Sequence, residues 1–134
     1  MSDPVWLPVG LVLGIHDRQI AEHGGLAGVR DQGLLESGMT RPINAYAYGE
    51  KDLCELAALY AAGIVKNHPF ADGNKRTGFV ACELFLAANA MSLDAADEEC
   101  IAMTLALASG EADIETYAAW LRENVRPPST MPPA

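Results

Sequence analysis

Residues 52–90 read DLCELAALYAAGIVKNHPFADGNKRTGFVACELFLAANA. In the first half, Leu53, Leu56, Ala57, Tyr60 and Ile64 recur at the i, i+3, i+4, i+7 spacing of a helix face. Asp52 with Glu55 three positions on predicts a capping box at its start. Pro69 ends it, because the residue ahead of a proline is pushed out of the helical region. A second long helix is expected from about Asn74 to Ala90, with Phe79, Cys82, Phe85, Leu86 and Asn89 in phase. Two long helices joined by a short polar loop set the fold class, and the rest of the chain is read around them.

Upstream, a helix is expected from Val9 to His23, stopped at Gly24-Gly25, where glycine takes positive φ freely. A short helical turn follows Asp31 and carries Leu34 and Leu35, and Met39–Gly49, with Pro42, Asn44, Tyr46 and Tyr48, reads as an exposed loop or extended flap. Downstream, a third helix opens at Asp94, whose side chain can cap it, with Asp97, Glu98 and Glu99 at its positive end, and it closes at Gly110. A last helix from about Asp113 buries Ile114, Tyr117, Ala118, Leu121 and Val125 and carries Arg122 and Arg126 in its final turn. No strand pattern is apparent, so the fold class is all-α: one domain over residues 1–125, followed by a proline-rich tail, 126–134, expected to be disordered.

The 134 residues suit a single domain. An apolar share of 50% and a charged share of 20% exclude the disordered and fibrous classes. Val5–Ile15 is broken by Pro8, Gly10 and Gly14 and has no basic residue before it, so neither a membrane span nor a secretory signal is expected. Cys54, Cys82 and Cys100 are odd in number and widely spaced, which fits buried thiols of a cytoplasmic protein. A formal charge of −9 disfavours nucleic acid and membrane surfaces as partners. Lys66, Lys75 and Arg76, however, bring three of the nine basic residues together, and an anionic ligand belongs there.

That cluster lies at the loop His68–Thr77, HPFADGNKRT. Turn and capping rules account for Pro69, Asp72, Gly73 and Asn74, with Asp72 or Asn74 as the helix cap. They leave His68, Phe70, Lys75 and Arg76 unexplained. His68 follows Ile64 by four positions and is expected to continue the buried stripe. Adjacent cations in a first helical turn oppose the helix dipole unless an anion arrives. A helix start with free N–H groups, two cations and a turn glycine can receive phosphate, and a neighbouring carboxylate such as Asp72 suits Mg²⁺ bridging phosphates. From the residues alone, a phosphate site and an ordinary helix start both stay open.

The nine residues His68-Pro69-Phe70-Ala71-Asp72-Gly73-Asn74-Lys75-Arg76 resemble the signature loop of the Fic/Doc superfamily, in its Doc (death-on-curing) toxin branch. Gly24–Asp31, Leu34–Ser37 and Phe85–Asn89 also look like Doc-type sequence, so the resemblance runs from about Leu11 to Asn124. It implies a compact helical bundle in which His68 is the general base toward a target hydroxyl; neutral imidazole, with an ordinary pKa of ~6.5, can play that part at pH 7. It further implies that Asp72 holds Mg²⁺, that Gly73, Asn74 and Lys75 cradle the phosphates of ATP, that Arg76 neutralises developing charge, and that Phe70 anchors the loop.

In AMP-transferring Fic proteins the position of Lys75 is usually glycine, and that of Phe79 a second arginine. Their replacement here implies the Doc-type reaction, a protein kinase moving the γ-phosphate to a threonine of elongation factor Tu. Gly73 departs from those Doc proteins that carry alanine there, so AMP transfer stays as an alternative, as does a non-catalytic regulatory module. No inhibitory Ser/Thr-x-x-x-Glu-Gly/Asn helix is found: Glu123-Asn124 has Ala119 four residues earlier. Restraint is therefore expected in trans, from the antitoxin of a type II toxin–antitoxin pair.

Other candidates read as structural. His16 and His23, which share a face with Ile20, lack a carboxylate at metal spacing and are expected to be packed or solvated. Gly73–Thr77 lacks the glycine spacing and preceding strand of a P-loop. Trp6 and Trp120 are expected to pack, and Arg41, Asn44, Tyr46 and Tyr48 offer a flap for the target chain.

Overall fold

The computed structural model describes residues 3–127. Along the chain lie α1 (Val9–His23), α2 (Gln32–Ala47), α3 (Leu53–Val65), α4 (Asn74–Ala88), β1 (Ser92–Leu93), α5 (Asp97–Ser109), α6 (Ile114–Asn124) and β2 (Val125–Arg126). The all-α expectation holds. No helix in this region is long and apolar enough to cross a membrane.

The fold is organised by α3. Leu56 to Val65 are all buried, because α2, α4, α5 and α6 pack around it on every side. A helix apolar all round is what a central position requires. Tyr60, Phe85, Leu86, Leu107, Tyr117 and Leu121 complete the core, and Trp6 stacks on Phe85 as a packing residue. Asp52 does cap α3, accepting from the Cys54 N–H at 2.9 Å, but the return half of the expected capping box is supplied by Glu50 rather than Glu55: its Oε1 accepts the Asp52 N–H at 3.1 Å. Arg122 from α6 pairs with the other oxygen of Asp52, tying the two helices together.

Several expectations need correction. Met39–Gly49 is not a flap: all but its last two residues continue α2, straight through Pro42. Leu35, Met39 and Pro42 are buried, and this packing outweighs the ~3 kcal/mol that an interior proline costs a helix. Arg41, Asn44 and Tyr46 therefore sit on a helix, with Tyr48 just beyond it and 93% exposed. α5 begins at Asp97 without a side-chain cap, so Asp94 does not open it; the Asp94 N–H instead donates to the Asn124 carbonyl. Two short strands do form, Ser92 opposite Arg126 and Leu93 opposite Val125, antiparallel. Arg126 thus belongs to the folded unit and not to a tail; residues 128–134 lie outside the described residues. All three cysteines are free and buried, as expected, and burial pushes the Cys54 thiol up to about 11 and Cys82 higher still.

Candidate active site

The α3–α4 loop is built from its anchor outward. Phe70 is 1% exposed and lies flat on the buried ring of His16 from α1, centroids 3.9 Å apart. Asn74 does not cap α4. Its side chain turns back into the loop, Oδ1 accepting the Phe70 N–H and Nδ2 donating to the Phe70 carbonyl, both at 3.0 Å. Asp72 does not cap α4 either; its Oδ2 accepts the Leu26 N–H at 3.2 Å. The N-cap is Gly73, at φ +75° and with no side chain to offer. The first-turn N–H groups of α4, which have no intrahelical partner, are therefore left without a side-chain cap.

A second segment holds the loop from outside. Gly28–Asp31 runs alongside it: Val29 and Phe70 form an antiparallel bridge, the Ala71 N–H donates to the Gly28 carbonyl at 3.1 Å, and the Pro69 carbonyl accepts from Arg30 and Asp31 at 2.7 and 3.0 Å. The Arg30 guanidinium donates to the carbonyls of Asn67 and His68.

His68 does not continue the buried stripe of α3. It lies beyond the end of that helix, takes a left-handed backbone at φ +51°, and is exposed. A side chain there costs about 1–2 kcal/mol over the right-handed form. The turn swings the imidazole out of the core and into the wall of a cavity of about 750 Å³. Asp72, Gly73, Asn74, Lys75 and Arg76 line that cavity together with Phe79 and Val80 further along α4, Gln19 and His23 of α1, and Ile101 and Leu105 of α5. Asn74 Nδ2 stands 3.4 Å from His68 Nδ1, a long contact. Of the three clustered cations, Lys75 and Arg76 line the cavity and Lys66 does not. Among the described residues neither Lys75 nor Arg76 forms a salt bridge.

The expected site residues are thus brought together, apart from Phe70, whose place is beneath them. Reading the sequence missed two contributors. His16 sits on the same face of α1 as Val12 and Ile15, all buried, and a buried imidazole on an apolar stripe implies a hydrogen-bond partner. Arg30 carries no comparable local signal, since its partners lie 37 and 38 residues away.

A helical domain that sets a helix start without a side-chain cap, carrying two cations, beside an imidazole has an anion-binding position next to a proton acceptor. Residues 6–86 match the Fic/DOC family, and the chain belongs to that family. Among its relatives are the protein kinase doc of Escherichia phage P1, 34% identical over 112 residues (83% of this chain and 88% of that protein), and the toxin Doc of Mycolicibacterium smegmatis, 40% identical over 75 residues (54% and 57%).

Proposed function

We propose that this chain is the toxin of a type II toxin–antitoxin pair and acts as a Doc-type protein kinase, moving the γ-phosphate of ATP to a threonine hydroxyl of a translation factor such as elongation factor Tu. The observation that carries this reading is the shared wall of one cavity, where His68 stands beside a helix start bearing two cations that form no salt bridge among the described residues. The names of the two relatives, one a kinase and the other a toxin, point the same way. Lys75 and Phe79 favour γ-phosphate over AMP transfer, because Lys75 fills the small position at the loop and Phe79 removes a cationic contact.

In the reaction, the target hydroxyl oxygen bonds to the γ-phosphorus as the bond from that phosphorus to the β–γ bridging oxygen breaks. ADP leaves, and the hydroxyl proton passes to the His68 ring. The Gly73, Lys75 and Arg76 positions offer backbone N–H groups and two cations to the phosphate oxygens. Asn74 serves chiefly by shaping the loop, since its amide is spent on Phe70. The residues present fit Mg²⁺ in its usual manner, one carboxylate plus substrate phosphates: Asp72 lines the cavity and commits only Oδ2, to Leu26. Mg²⁺ so held would neutralise phosphate charge. Ile101 and Leu105 are 61% and 49% exposed beside the catalytic wall, and an antitoxin segment laid over them would bury apolar surface and close the cavity.

Purified protein, Mg·ATP and elongation factor Tu, followed by the intact mass of the factor, test the reading. Gain of one phosphate, lost in His68→Ala without loss of fold, is expected. Gain of one AMP would establish adenylyl transfer instead, and growth arrest that survives His68→Ala would mark a non-catalytic module.

A further inference from the structure

We propose that His16 is a positioning residue: it fixes the Asp72–Gly73 peptide with its N–H turned into the cavity, making that amide an anion-binding donor. The proposal rests on the phosphate reading of the cavity given above.

His16 is 1% exposed, and its Nε2 lies 2.8 Å from the Asp72 carbonyl oxygen. A carbonyl only accepts, so Nε2 carries a proton and donates it. The same ring is stacked on Phe70 with 6° between the planes, so it is held in place by the loop's own anchor. Gly73 rests on top: a Cβ there would sit 3.7 Å from His16 Cδ2 and 3.3 Å from Ile20 Cδ1. α1 thus provides a floor beneath one peptide unit, with a single donor aimed at its oxygen.

The consequence follows from peptide geometry. In a planar trans peptide the C=O and N–H point in opposite directions. With the Asp72 oxygen drawn to His16, the Gly73 N–H points away from the His16 ring, and Asp72 and Gly73 both line the cavity. Glycine adopts many backbone conformations at little cost, so without the donor this peptide is free to rotate. A rotated peptide would present a partly negative oxygen to the phosphates where a partly positive N–H should be. Among the described residues the Gly73 N–H has no hydrogen-bond acceptor, so this amide is open to a ligand.

Two variants separate the donor from the ring. His16→Phe keeps a flat ring over Phe70 and loses the donor; His16→Gln loses the ring and returns an N–H near the Nε2 position. In calorimetric titration with Mg·ATP, His16→Phe is expected to bind at least about tenfold more weakly, and His16→Gln within about threefold of the parent. The Gly73 amide resonance should move in His16→Phe and return in His16→Gln. Were His16 only a packing residue, the order would invert, with Phe the milder change in both affinity and thermal stability; that order would overturn the proposal, as would unaltered affinity in His16→Phe. If the parent protein itself binds no Mg·ATP, the kinase reading fails on its own. The Gly73 resonance then decides the positioning role: movement in His16→Phe reversed in His16→Gln upholds it, and an unmoved signal refutes it.

Discussion

The Arg30 guanidinium donates to the carbonyls of both Asn67 and His68, at 3.1 and 2.8 Å, at the point where the backbone of His68 turns left-handed. The α3–α4 loop is therefore held open by a side chain from a different part of the chain. Arg30→Ala should loosen that turn and let the imidazole drift. Misplacement of a reacting group by ~1 Å costs on the order of 10²-fold in rate, whereas exposed substitutions usually change stability by only about 0.5 kcal/mol. A large fall in single-turnover transfer with an almost unchanged urea midpoint is expected. Arg30→Lys, with a single donor head, should recover part of the rate; an Arg30→Ala enzyme of full speed would contradict the role.

Where α2 crosses α3, Gly38 and Gly63 bring two backbones into direct contact. A Cβ on Gly38 would come within 2.7 Å of the Gly63 carbonyl oxygen, and one on Gly63 within 2.8 Å of Gly38 Cα. Neither obstacle is a flexible side-chain end. Gly38→Ala should force the helices apart and destabilise the protein by about 1–3 kcal/mol, the range for overpacked cores. Because α2 begins directly after Arg30 and Asp31, this shift should also loosen the segment bonded to Pro69. Denaturant unfolding checks the first effect and hydrogen exchange at residues 28–31 the second.

The long helices and their loop were legible because local rules agreed there: a 3.6-residue apolar stripe, a proline stop and a capping aspartate. α2 was not, although Leu35, Met39, Pro42 and Tyr46 carry helical spacing. Pro42 and the flanking Asn, Tyr and Gly residues signalled a loop, and only packing against α3 overrules them. The outward turn of His68 could not be read from its i+4 relation to Ile64, since that relation assumes the helix continues, and it ends at Val65. The positive φ at His68 comes with contacts from Arg30, distant in sequence. The tiny sheet joining residues 92–93 to 125–126 is likewise non-local and too short to leave a pattern.

Asp113 caps α6, its Oδ1 accepting the Thr116 N–H at 2.7 Å, and hydrogen bonding from the Thr116 side chain, then from its backbone N–H, holds its carboxyl below the usual range. Between the folded value and the unfolded value of ~3.9, the unfolded chain binds more protons, so stability rises with pH across that window. The contribution is fully present above ~pH 4 and lost as pH falls through the folded value. Asp113→Asn keeps a capping oxygen but cannot titrate. It should unfold at nearly the parent's urea midpoint at pH 7 and lose less stability between pH 5 and pH 2, as circular dichroism would report. Equal acid sensitivity in the two proteins would remove the cap from the account.

Lys75 and Arg76 occupy the positive end of α4, where cations are unfavourable by about 0.3–1 kcal/mol each at low salt, and among the described residues no carboxylate pairs with them. A site that retains such a conflict gains from it only when an anion is bound. Lys75→Gln should therefore act in opposite directions on two measurements. The ligand-free protein should become slightly more stable in denaturant, most clearly at low ionic strength. The stabilisation conferred by saturating Mg·ATP, which follows the ratio of ligand concentration to Kd, should shrink. A structural lysine would lower both quantities together, and a bystander on the surface would change neither, so the sign of the two shifts decides what this residue is for.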